Sequence, residues 1–199
     1  MTTGVYTAPN GATWTTGEMF KDYSMWSLSF STQAVGGMRV LVPEEDKAKA
    51  QAIVEVMFDT AGKMMFAEWN TRKAAREWLG APESVDDGRV MAGYMSMIFQ
   101  ARALPWEFTE FTPDRTVIEV GKAELEMFGM YPEFTPAYAA YFNGMAKTLV
   151  SAEWVVKLDE TAPENMLRFV VERGVYGFRR QKPGFTFEEA PLQAQTAGA

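Results

Sequence analysis

Apolar side chains recur at helical spacing from residue 43 to residue 79, the longest such stretch in the chain. At about 100° per residue, Val54, Met57, Phe58, Ala61, Met64 and Met65 fall on one side, and that side continues through Glu68, Arg72, Ala75 and Leu79. Pro43 suits a first helical position, and Glu44, Glu45 and Asp46 stand where the helix dipole favours negative charge. Gly80-Ala-Pro82 closes the far end, so the pattern predicts one long helix. Glu68 and Arg72 interrupt its apolar stripe. Four residues apart, they are spaced to pair on one helix, and burying either alone costs about 3–5 kcal/mol. Two readings stay open: a structural ion pair that keeps helices in register, or the charged floor of a pocket.

Before this stretch, residues 1–14 mix Gly, Pro, Thr and Asn with Val5, Tyr6 and Trp14 and read as an extended arm. Thr15 or Thr16 caps a helix in which Met19, Tyr23, Trp26 and Phe30 form the apolar line, ended by Gly36-Gly37. After Pro82, Ser84-Val-Asp86-Asp87 resembles a capped helix start, and Met91, Tyr94, Met95, Ile98 and Arg102 share one face up to Leu104-Pro105. Asp86 and Asp87 read as cap residues rather than a metal pair, because neighbours on a helix point apart.

At residue 105 the period changes to two. Trp106–Phe111 and Arg115–Val120, joined by Thr112-Pro-Asp114, predict a β-hairpin, and 121–130 a short helix. Thr135-Pro136 opens a helix with Tyr138, Tyr141, Phe142, Met145 and Leu149 on one face. Glu153–Leu158 and Met166–Glu172 make a second hairpin. The fold class predicted is α+β: a helical N-terminal half packed on an antiparallel sheet of β-β-α-β-β order. One domain is expected over 15–173, between the arm 1–14 and an extended, glycine- and proline-punctuated tail 174–199.

Composition narrows the chemistry. The 199 residues carry a net charge of -7 and no basic stripe, so nucleic acid is not an expected partner. Met91–Leu104 is too short to cross about 30 Å of hydrocarbon, and the start lacks the basic and apolar regions of a signal peptide. No membrane partner and a cytoplasmic location are expected. With no cysteine and no histidine, thiolate nucleophiles, the Ser-His-Asp arrangement and Cys- or His-bound metals are excluded. No metal and no cofactor are expected. Any catalysis falls to carboxylates, arginine, lysine, tyrosine or hydroxyls. The candidate site has Glu68 as the catalytic acid or base, with Arg72, Arg102, Tyr23 and Tyr94 binding the substrate.

The runs Pro132-Glu-Phe134, Tyr138-Ala-Ala-Tyr-Phe-Asn-Gly144, Leu149-Val-Ser-Ala-Glu-Trp-Val-Val-Lys-Leu158 and Pro163-Glu-Asn-Met-Leu-Arg-Phe169 resemble the L-2-amino-thiazoline-4-carboxylic acid hydrolase-like proteins. That group is similar in shape to the 4-vinyl-reductase and haem-NO-binding modules. Residues 105–173 carry the resemblance, which implies hydrolysis or hydration of a small polar acid. The cysteines of the family pattern are absent, which removes its thiol chemistry. The alternative is a non-catalytic ligand-binding or interaction subunit, a homo-oligomer or the partner of another subunit, contacted through aromatic terminal arms.

Overall fold

The computed structural model describes residues 5–7, 13–15, 35–36, 40–101, 104–122 and 134–174. Strands β1 (Val5–Thr7) and β2 (Thr13–Thr15) pair antiparallel, Tyr6 opposite Trp14. A 3-10 turn at Glu44–Asp46 leads into helix α1 (Lys47–Met65), followed by α2 (Trp69–Trp78) and α3 (Gly88–Ala101). Strands β3 (Trp106–Phe111) and β4 (Arg115–Gly121), helix α4 (Phe134–Leu149) and strands β5 (Trp154–Asp159) and β6 (Met166–Arg173) complete the described elements. The short helix expected over 121–130 and the helix after Thr16 lie mostly outside the described residues.

The α+β class and the β-β-α-β-β order hold. All pairings in the four-stranded sheet are antiparallel, with spatial order β3-β4-β6-β5. A register shift between Phe108 and Glu110 lets Phe111 lie opposite Thr116. Ile118, Val120, Phe169, Val171, Trp154 and Val156 point from the sheet into the core. From the helices come Met91, Met95 and Phe99 of α3 and Tyr138, Phe142 and Met145 of α4. Phe142 stands edge-on to both Phe99 and Phe169, with centroids 5.9 and 5.5 Å away. The sheet's other face is laced by ion pairs, among them Glu119–Arg168–Asp159 and Glu110–Arg115–Glu172–Lys157.

Two features correct the sequence expectation. The long helix is broken: Phe66 and Ala67 turn the chain, and Glu68, with extended backbone, is the N-cap of α2. Neither proline nor glycine stands at the break. Tertiary contacts impose it: Phe66 drops into the core edge-on to Tyr94, and the turn directs Arg76 inward. The second correction concerns the face of α1. It packs on α4 through Val54, Phe58, Asp59 and Gly62, leaving Met57 and Met64 on the outside.

Candidate functional site

Glu68 and Arg72 lie at the start of α2, and each has a protein partner. Glu68 is exposed, and its carboxylate accepts a hydrogen bond from the Thr71 hydroxyl at 3.3 Å. Arg72 does not bond the Glu68 side chain; it pairs with Glu83 at 3.2 Å and donates to the Val150 carbonyl at 3.3 Å. One turn further on, Arg76 is almost wholly buried and donates to the carbonyls of Leu149 (2.7 Å), Pro82 (2.6 Å) and Val85 (2.6 Å). Burial lowers its pKa from the ordinary arginine value, and Glu83 works in the other direction. Leu149 and Val150 end α4, where unpaired carbonyls and the negative end of the dipole attract cations. The two arginines therefore cap a helix.

Tyr94 lies on α3 with its ring 5.0 Å from Phe66. Tyr23 and Arg102 lie outside the described residues. A second charged centre, not foreseen in the sequence, surrounds Asp86. Its carboxylate accepts from the Ser151 hydroxyl (2.9 Å), the Trp154 indole (2.6 Å) and Arg173 (2.9 Å), while Arg173 also pairs with Glu153 and lies over the Trp154 ring. Burial pushes the Asp86 carboxyl up, but the bonds from Trp154, Arg173 and Ser151 together outweigh it and hold the group below its ordinary value. The position before α3 was legible as a cap, whereas donors 65 to 87 residues away in sequence were not. Among the described residues no group of three or more metal-ligating side chains comes together.

The feature that departs furthest from ordinary globular packing is the outward side of α1. Ile53, Val56, Met57 and Met64 are 59, 67, 62 and 72 % exposed and share one side of the helix. Val40 and Leu41, before α1, and Met65 and Trp69, at its other end, are exposed too. Meanwhile the inward side carries Asp59, which bonds Asn143 and Lys147 of α4. The more apolar face thus looks away from the core. Soluble proteins rarely expose large apolar side chains in such a group. Among the described residues no helix is long and apolar enough to cross a membrane.

No protein-family model matches the chain, and no curated protein does, so the resemblance to the thiazoline-carboxylate hydrolase-like proteins gains no support from sequence. A solved structure does match: the trafficking protein particle complex subunit 3 from Naegleria fowleri, covalently bound to palmitic acid, superposes with a TM-score of 0.55 at 14 % identity. The match covers 80 % of this chain and 99 % of that one. What the two share is a fold, and it corrects the expectation of a hydrolase or hydratase: the structure matched is that of a trafficking-complex subunit and not of a hydrolase-like protein.

Proposed function

We propose that this chain is a non-catalytic subunit of a protein assembly and that the outward face of α1 is a docking surface. The observation that carries the reading is the inversion of α1, with Ile53, Val56, Met57 and Met64 turned to solvent while Asp59 and Gly62 face α4. A monomer gains nothing by leaving large apolar side chains in water, each of which yields about 1.5–3 kcal/mol when buried. The likeness to a complex subunit over nearly all of that subunit's length supports the same reading. The terminal arms, 1–14 and 174–199, add aromatic contacts to the assembly, which works in the cytosol or at a membrane surface. An acyl chain held here is held without a thioester, because the chain has no cysteine.

A photoreactive amino acid at position 57, in the full chain and in the cell that makes it, tests the docking surface. Cross-links into protein should form from position 57 and not from Lys157, which is exposed among charges on the outer face of the sheet. Equal yields from the two positions would remove the basis for the reading.

A further inference from the structure

Sulfur in this chain is thioether sulfur alone: the sequence holds 14 methionines and no cysteine. A peroxide that meets the protein finds no thiolate, and reversible sulfur oxidation falls to methionine. The fold sorts those methionines into two kinds. Met91 and Met95 of α3 and Met145 of α4 lie in the core at 0, 0 and 1 % exposure, and Met97 and Met166 are half-buried. Met57, Met64 and Met65 are 62, 72 and 40 % exposed, and all three belong to α1. Among the described residues no methionine outside α1 is exposed. Met57 and Met64 stand about two turns apart on the side of the helix that also carries Ile53 and Val56.

We infer that Met57 and Met64 form a peroxide modification site, and that their oxidation releases the docking face of α1. The chemistry needs only the exposure, whereas the release rests on the docking reading and names its regulation. Hydrogen peroxide is the oxidant. A lone pair of the thioether sulfur attacks one peroxide oxygen, the S–O bond forms as the O–O bond breaks, and the departing hydroxide takes the hydrogen of the transferred oxygen to leave as water. Sulfur gives up two electrons and peroxide accepts them. Attack requires the sulfur to meet peroxide in water, which Met57 and Met64 do and the core methionines do not. The product is a sulfoxide, polar where the thioether was apolar. On the free helix it stays hydrated and leaves the fold intact, since neither side chain belongs to the core. In an apolar contact its oxygen loses that hydration with no donor to replace it, so docking weakens about tenfold for each sulfoxide buried. Sulfoxide reductases restore the thioether, which makes the change reversible.

Peptide mapping of the full chain by mass spectrometry after graded hydrogen peroxide tests the chemistry. Met57 and Met64 should take up oxygen about tenfold or more faster than Met91, Met95 and Met145, with unchanged circular dichroism, and the rates should converge in urea. Equal rates in the folded chain overturn the inference. The release is read with a photoreactive amino acid at position 53, on the same face, in the cell that makes the chain. Cross-links into protein should fall about tenfold or more after peroxide. Met57→Leu combined with Met64→Leu keeps the apolar bulk, cannot take oxygen, and should hold the cross-links at the untreated level. Cross-links that persist with both sulfurs oxidised, or that vanish equally in the leucine variant, overturn the release and leave docking intact. If position 53 gives no cross-links before peroxide is added, the docking reading and the release fall together.

Discussion

Arg76 leaves water only because three carbonyl oxygens and a nearby carboxylate replace its hydration: Leu149, Pro82 and Val85 accept its hydrogens, and Glu83 lies 3.8 Å from its Nε. The same contacts satisfy the end of α4 and pin the loop before α3, so one side chain ties three segments together. Replacing it with methionine keeps the bulk and removes every bond. Arg76→Met should lower stability by about 3–5 kcal/mol, which is a fall of about 6–20 °C in thermal midpoint for a chain of this size. Arg72→Met removes a pair that is partly solvated on both sides and should cost about 1 kcal/mol or less. Scanning calorimetry of the two variants compares them directly; equal losses would mean that burial is not what distinguishes them. The sequence offered no reason to prefer Arg76 over Arg72. Its partners are main-chain atoms of other elements, and main-chain atoms leave no trace in residue identity.

The crossing of α1 and α4 depends on two glycines, each facing the other helix. A Cβ on Gly144 would stand 2.0 Å from the Asp59 carbonyl oxygen, and one on Gly62 would stand 2.0 Å from that of Tyr141. On an exposed helix, glycine to alanine stabilises by about 1 kcal/mol; here the clash is with backbone, which cannot rotate away, and overpacking costs about 1–3 kcal/mol or more. Gly144→Ala should therefore lower the urea midpoint, and a rise would show that the helices do not approach this closely. Elements were legible wherever one periodicity ran unbroken: β3 to β6 and α4 were readable from alternation and from the Tyr138–Leu149 stripe. The junction at Phe66–Glu68 was not, because propensity continues through it, while the packing of Phe66 against Tyr94 is a contact between distant residues. The stripe on α1 was visible, but periodicity reports that a helix is amphipathic and leaves open what its apolar side meets. Val54 and Phe58 meet the core; Met57 and Met64 face outward. Reading the whole stripe as core placed Glu68 on a buried face, whereas it is exposed and Arg72 is half-buried against Glu83 and the Val150 carbonyl.

Across the whole molecule, stability near neutral pH rests on side chains that do not change charge there, since the chain has no histidine to titrate between pH 5 and 8. Acid is a different matter. Thr161 and Arg168 hydrogen bonds lower Asp159 to about 2. Asp59, which burial pushes up, is nevertheless brought below its ordinary value by Lys63 and Lys147, as Asp86 is by Trp154, Arg173 and Ser151. Each carboxylate binds its proton less readily folded than unfolded, so its contribution is complete above the unfolded value of about 3.9 and is lost as pH falls through the lower folded value. The thermal midpoint should be level from pH 8 to 5 and then fall steeply towards pH 2. Asp86→Asn retains an acceptor for the indole and the hydroxyl but loses the charge facing Arg173, which spans β6 and the loop before α3. That variant should melt several degrees below the parent at pH 7, and the gap should shrink as the parent's own Asp86 takes up its proton. A gap that persists undiminished at pH 2 would mean that the lost geometry, and not the lost charge, accounts for the difference.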